Sequence, residues 1–381
     1  MGPPTVHPEV NEMASDAMIS LRNVSKRFAN VGGAAVDDLT LDVREGETVV
    51  LVGPSGCGKT TTMRMINRLI EPTAGTIEVD GKDVMRQDPV QLRRGIGYVI
   101  QSIGLLPHRT VAQNMATVPK LVGWDDARIF KRVDELIEIF SLDPDMKDRY
   151  PSELSGGQRQ RVGVARALAV DPPVMLMDEP FAAVDPIVRA RLQDQFLDIQ
   201  RRLKKTIVFV THDIDEAIKM ADRIAILNRG AHVEQYAPPE EILRVPASDF
   251  VKDFVGSERG LKRLALIKIA DIQIEEGPVI APDASADEAK REMERFGFDW
   301  VSVVEDGELL GWVDRPALDG SRTVAEAKPR PFSAYVTAQN SLRQALDSIV
   351  TSSTNVAVVV SEGQRYLGIL TIDRLSREIT Q

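Results

Sequence analysis

The chain has 381 residues, 43% hydrophobic and 27% charged, with a formal net charge of −10. That length implies two or three domains and a sizeable core, and the acidic balance argues against a nucleic-acid partner, which usually shows a basic excess. Cys57 is the sole cysteine, so no disulfide can form within the chain, in keeping with a reducing compartment.

Met1–Ala17 combine prolines and acids without the basic start or apolar stretch of a signal peptide, and read as a disordered tail. The folded part is expected to begin at Met18. Ile19–Phe28 and Ala35–Val43 read as strands of a small antiparallel sheet. Thr48–Val52 is a buried strand running into a Gly-rich loop, and Lys59–Ile70 a helix. Thr76–Val79, Ile96–Ile100, Val174–Met177 and Thr206–Val210 are further strands. Such alternation of β and α implies a parallel sheet with helices on its faces. Between about Arg109 and Arg166 helical periodicity dominates, which reads as a helical subdomain inserted into the sheet domain. No run approaches the roughly 18 apolar residues that span a bilayer. If the chain works at a membrane, another chain must supply the spanning helices.

After a short polar stretch at Val255–Lys262 the texture changes. Two similar blocks follow, Asp283–Leu318 and Asn340–Leu375. Each reads as an amphipathic helix, a Val-rich strand, a charged turn and a second strand, with Gly311 and Gly368 in matching places. The domain plan is therefore a tail over 1–17, an α/β domain over 18–258, and an α+β tandem repeat over 259–381, its halves about 263–322 and 330–381.

The segment Gly53-Pro54-Ser55-Gly56-Cys57-Gly58-Lys59-Thr60 matches the P-loop pattern G-x-x-x-x-G-K-[ST], and it follows a strand and opens a helix as that motif requires. Glycines let backbone N–H groups approach phosphates, and the helix N-terminus adds partial positive charge. Ser55, Gly56, Cys57 and Gly58, with Lys59, Thr60 and Thr61, are expected to hold the phosphates of ATP. Lys59 should reach the β- and γ-phosphates, and the Thr60 hydroxyl should bind Mg²⁺. At the end of a second apolar strand, Asp178 is suited to hold Mg²⁺ and Glu179 to polarise an attacking water. Cys57 within the loop reads as a small buried filler rather than a redox switch. Leu154-Ser155-Gly156-Gly157-Gln158 puts a serine and two glycines at another helix start, a second anion-binding element.

The order P-loop, LSGGQ, Met175-Leu176-Met177-Asp178-Glu179, then Thr211-His212-Asp213 resembles the ATP-binding cassette (ABC) family, over about Ile19 to Phe254. The resemblance implies an α/β P-loop ABC ATPase domain with an inserted helical subdomain. It implies that Phe28 stacks on adenine, in place of the commoner Tyr. Gln101 would sense Mg²⁺, the γ-phosphate and the membrane partner, and His212 would be the switch histidine. Ser155, Gly156, Gly157 and Gln158 would contact the γ-phosphate bound to the opposite subunit, and Asp185 would lie in the loop crossing the dimer interface. Lys59, Glu179 and His212 would then carry hydrolysis, with two copies sandwiching two ATP molecules.

Within the family, Thr61-Thr62-Met63-Arg64-Met65-Ile66-Asn67-Arg68-Leu69, Gly104-Leu105-Leu106-Pro107-His108-Arg109-Thr110-Val111 and the C-terminal repeats are similar to the quaternary-amine importer ATPases. That resemblance implies glycine betaine, carnitine or choline as solute. It implies transmembrane permease subunits as partners, a substrate-binding protein reached through them, and a peripheral place on the cytoplasmic face of the cell membrane. The repeats resemble cystathionine-β-synthase-like (CBS) repeats, a regulatory module. Adenosine-binding CBS repeats place an aspartate for the ribose where this chain has Ala317 and Arg374. Ionic-strength sensing, a cyclic dinucleotide and a purely structural dimerisation role stay open. Two other functions compete: an ABC ATPase for a different solute, and a non-transport ABC protein, regulatory or acting in translation or DNA repair. A single P-loop and LSGGQ fit the translation types poorly, and the intact Glu179 and His212 argue against a slow switch.

Overall fold

The computed structural model describes residues 17–29, 33–102, 104–182, 184–361 and 363–380, which form two compact units dividing at Val255 and Gly256. The expected tail lies outside the described residues except for Ala17, which opens the first strand by pairing with Arg44.

In the first unit, β1 (Ala17–Arg27), β2 (Ala34–Arg44), β4 (Ala74–Val79) and β5 (Lys82–Asp83) form an antiparallel sheet in the order β2-β1-β4-β5. A second sheet runs β10-β9-β3-β8-β7-β6, from β3 (Thr48–Val52), β6 (Ile96–Val99), β7 (Val174–Asp178), β8 (Thr206–Val210), β9 (Arg223–Asn228) and β10 (His232–Ala237). β9, β3, β8, β7 and β6 are parallel, and β10 closes the edge antiparallel to β9. Every residue of β3, β7 and β8 is buried, and apart from Thr48, Thr206 and Asp178 at strand ends these strands are apolar throughout rather than alternating. Each fully buried Val or Leu contributes about 1.5–3 kcal/mol. β9 and β10 have no counterpart among the strands expected from the sequence.

The segment expected to form a helical subdomain folds as helices Val111–Met115, Thr117–Leu121, Asp126–Ile139 and Gly156–Ala167. The helix after the Gly-rich loop spans Lys59–Ile66, shorter than the expected Lys59–Ile70. Its backbone leaves the helix at Asn67, and Arg68 turns left-handed with φ 46°.

The second unit holds two sheets of like build. One is β11-β12-β13, from β11 (Val279–Ile280), β12 (Trp300–Glu305) and β13 (Glu308–Asp314); the other is β14-β15-β16, from β14 (Val336–Thr337), β15 (Ala357–Val360) and β16 (Tyr366–Leu370). In each, the first pair is parallel and the second antiparallel, with matching register shifts at Val303/Val304 and Val359/Val360. Helices Ala286–Phe296 and Leu342–Thr351 open with capping boxes, Ser285 with Glu288 and Ser341 with Gln344. The repeats also exchange edges. Glu275, preceding the first sheet, bridges to Ile369 of β16, and Arg330, between the sheets, bridges to Trp312 of β13. Those crossings account for the paired glycines. A Cβ on Gly368 would lie 2.4 Å from the Glu275 carbonyl oxygen, and one on Gly311 would lie 2.4 Å from that of Arg330. An apolar cluster of Trp300, Trp312, Val358, Ile369 and Phe332 lies between the repeats.

Candidate active site

Parallel strands present their carboxyl ends along one sheet edge, where ligands of open α/β sheets bind. The Gly-rich loop follows β3, Thr211–Asp213 follow β8, Glu179 follows β7, and Gln101 lies two residues beyond β6. In space these strands run β3, β8, β7, β6, so segments scattered from 53 to 213 in sequence stand side by side.

The loop after β3 cannot carry side chains at two of its turns. Gly58 caps the helix with φ 116°, and a Cβ there would lie 2.5 Å from the Ala35 carbonyl oxygen. A Cβ on Gly53 would lie 2.1 Å from the Leu227 carbonyl oxygen. Ser55 and Gly56 are exposed at the loop crest, and Cys57 is buried beneath. Lys59 is buried, and its Nζ donates to the carbonyls of Gly53 at 2.7 Å and Pro54 at 3.0 Å. The ammonium is thus held inside the loop it would serve.

Thr60 Oγ1 donates to Asp178 Oδ1 at 3.0 Å. Burial pushes the Asp178 carboxyl above its ordinary range and nearby Glu179 adds to this, while the Thr60 hydroxyl, Arg64 and Lys59 pull the other way. Glu179 adopts a left-handed backbone, φ 46°, and its N–H donates to the Val210 carbonyl at 2.9 Å. A non-glycine residue there is strained by about 1–3 kcal/mol, a pattern concentrated at functional sites. Its Oε2 accepts from Gln101 Nε2 at 3.0 Å, and its Oε1 lies 3.4 Å from His212 Nδ1.

Lys59, Thr60, Asp178, Glu179, Gln101 and His212 therefore meet at this edge. Thr61 is half-buried in the first helical turn. The other expected residues make local contacts. Phe28 is 38% exposed, with Lys26 Nζ 5.2 Å from its ring centre. Ser155 caps helix Gly156–Ala167. Its Oγ accepts from the Gln158 N–H at 3.3 Å, and Gln158 Oε1 accepts from the Ser155 N–H at 2.8 Å. Both side chains are used in holding that cap, while Ser155 and Gly156 face outward and Gly157 packs against Val188. Asp185 caps helix Pro186–Leu203 by accepting from the Val188 N–H at 3.0 Å. Ala183, in the same loop, lies outside the described residues.

Sequence reasoning missed a buried acid beneath the histidine. Glu216 accepts from Gln193 Nε2 at 3.0 Å, and burial raises its pKa. Its spacing from Asp213 matches a helix cap and gives no sign of burial, so only the 3.6-residue period placing it beside Ala217 and Met220 could have pointed inward.

The arrangement can hold a polyphosphate on the loop and the Lys59 ammonium. It can hold a hard cation on the Thr60 and Asp178 oxygens, and it aims a carboxylate at the same place. Among the described residues no helix is long and apolar enough to cross a membrane.

Known proteins match this chain in both units. A family model described as ABC transporter matches residues 36–182, and a CBS domain model matches 269–318. The osmoprotectant import ATP-binding protein of Salmonella typhimurium is 46% identical over 365 residues, covering 94% of this chain and 95% of that protein. The glycine betaine/carnitine/choline transport ATP-binding protein of Bacillus subtilis is 46% identical over 359 residues, covering 93% of this chain and 94% of its own length. Among solved structures, a dimeric ATP-binding cassette in a post-hydrolysis state with ADP and Pi is 32% identical, with a TM-score of 0.52, covering 58% of this chain and 99% of that one.

Proposed function

This chain belongs to the ABC transporter family, among the ATP-binding subunits of osmoprotectant importers, and from that premise we propose that it powers import of a quaternary amine such as glycine betaine, carnitine or choline. The observation that carries the chemical reading is the convergence of Lys59, Thr60, Asp178, Glu179, Gln101 and His212 at one sheet edge. The identity over nearly the whole length of importer subunits supports the solute class.

In this reading ATP lies with its phosphates on the loop 53–58 and its adenine on Phe28. The residues fit a divalent cation. Asp178 is a buried carboxylate whose charge is penalised, and the Thr60 hydroxyl beside it is a second oxygen donor. Mg²⁺ would be held by Thr60 and Asp178, with Gln101 nearby, and would neutralise charge on the β- and γ-phosphates. Lys59 stabilises the same negative charge. Glu179 accepts a proton from a water as that water's oxygen bonds the γ-phosphorus, and the bond from phosphorus to the bridging oxygen breaks to leave ADP and phosphate. His212, facing Glu179, orients the γ-phosphate and the attacking water.

Ser155, Gly156, Gly157 and Gln158 have their place in a dimer, against the γ-phosphate bound by the second copy, with Asp185 in the loop between copies. The dimeric state of the related cassette supports this. Permease subunits would receive the motion and hold the chain at the cytoplasmic face, with the solute-binding protein reached through them. The tandem repeats would regulate activity. Arg374, at a ribose-aspartate position, instead pairs with Glu378 at 2.7 Å and donates to the Gln273 carbonyl, which weighs against an adenosine sensor.

The test is uptake of labelled glycine betaine at low and high external salt, in cells lacking other betaine carriers. Salt-stimulated uptake should vanish without this gene and return with wild type but not with Glu179→Gln. Unchanged uptake overturns the solute assignment.

A further inference from the structure

We propose that Glu216 is a positioning residue for hydrolysis, its buried carboxylate fixing the loop that carries His212. The inference rests on the reading that His212 and Glu179 serve ATP hydrolysis.

Glu216 is 7% exposed, Gln193 6% and Thr211 1%. Gln193 Nε2 donates to Glu216 Oε1 at 3.0 Å. The Thr211 hydroxyl lies close enough to the same carboxylate to lower its pKa, and its oxygen accepts from the Asp213 N–H at 3.0 Å. Asp213 Oδ1 accepts from the N–H groups of Asp215 and Glu216 at 2.8 and 3.3 Å. The residues on both sides of His212 thereby stand against one buried group, Asp213 bonded to its backbone and Thr211 beside its carboxylate. The His212 side chain is 59% exposed and faces Glu179 at 3.4 Å, so the backbone beneath it, rather than packing, sets its position.

The local fold gives no other reason for a charge here. Asp213 already caps helix Ile214–Met220. A buried carboxylate is costly, and an apolar side chain of similar volume usually packs as well or better. Of the charged groups facing Glu216, Asp213 is like-charged, and Arg189, on helix Pro186–Leu203, is opposite. What the carboxylate supplies is geometry, since a network with each member partnered specifies one arrangement. Gln193 stands on the helix that Asp185 caps, about two turns further along. The same carboxylate therefore joins the His212 loop to the segment assigned to the dimer interface.

The test uses the full-length chain, with steady-state ATP hydrolysis and thermal melting. Glu216→Leu is expected to lower kcat by about tenfold or more, to change KM by less than about twofold, and to leave Tm equal or higher. Glu216→Gln keeps an oxygen for Gln193 and Thr211 and should recover most of kcat. Should Glu216→Leu fail to fold, Thr211→Val removes the hydroxyl beside the carboxylate and its bond from the Asp213 N–H, and kcat should still fall at constant KM. A kcat within about twofold of wild type overturns the inference. So does a loss of kcat in which KM and Tm deteriorate together, the mark of a merely structural role. His212→Ala is measured alongside. If it hydrolyses ATP normally, the reading of His212 has failed and takes this inference with it. If it is slow while Glu216→Leu is not, the inference alone has failed.

Discussion

The Thr60 hydroxyl donates to the Asp178 carboxylate at 3.0 Å, joining the first turn of the helix after the Gly-rich loop to the end of β7. The two residues lie on strand–loop units separated by β8. Thr60→Val keeps the shape and removes the oxygen. The Mg²⁺ concentration for half-maximal hydrolysis should rise by about tenfold, as expected for losing a hydrogen bond to a charged group. A Mg²⁺ titration of ATPase activity checks this.

Glu179→Gln replaces the carboxylate with an isosteric amide that cannot take a proton. Hydrolysis should fall by about 10²–10⁴. Affinity for ATP should stay near wild type, because Lys59 and the loop are untouched. Equilibrium titration with a fluorescent ATP analogue, beside steady-state turnover, separates the two effects.

Gly58→Ala should disable the loop and destabilise the first unit. The new Cβ would lie 2.5 Å from the Ala35 carbonyl oxygen, at a φ of 116°. The expected loss is about 2–4 kcal/mol, from backbone strain and overpacking together. A lowered Tm with weakened ATP binding is the observable.

Glu216 gives a pH dependence with a definite sign. Burial raises its pKa above the ordinary value of 4.5, so the folded chain holds this proton more tightly than the unfolded chain. Its contribution to stability is fully present below pH 4.5 and is lost as pH rises through the folded value. Glu216→Leu should therefore raise Tm, relative to wild type, more at neutral pH than near pH 4.5, as melting curves at the two pH values would record.

In the second unit, Glu275 Oε2 accepts from the Thr371 hydroxyl at 2.8 Å and from the Thr371 N–H at 3.2 Å, at the start of helix Ile372–Thr380. Glu275→Ala should cost this unit about 1–2 kcal/mol. Trp300 and Trp312 lie in this unit and only Trp124 in the other, so tryptophan fluorescence in urea reports mainly on it. The midpoint should move down.

Much of the site was legible because its residues sit in short segments whose chemistry is local. A strand, a Gly-rich turn and a helix name the loop at Gly53–Thr60. The carboxylates at Asp178 and Glu179 follow an apolar run that reads as a buried strand. Strands β9 and β10 escaped the sequence reading although β9 is largely apolar and buried. Arg223 and Asn228 bound a run of only four buried residues, and β10 is half-buried and carries charge. The use of Ser155 and Gln158 in one capping box was written in their spacing but hidden behind their value as a motif. Glu216 was illegible for a different reason. Its partner Gln193 lies on another helix, and the helical period beside Ala217 and Met220 was the sole local sign of burial.

The exchanged edges of the second unit bind its two repeats to each other. Arg330 lies on the connection between the repeats yet completes the edge of the first, and Glu275 precedes the first repeat yet completes the second. Cutting the chain between the sheets would strip an edge from each half and leave carbonyls and glycines shaped for a strand that is gone. The duplication is interlocked, each repeat bridged by a segment that lies outside its own sheet.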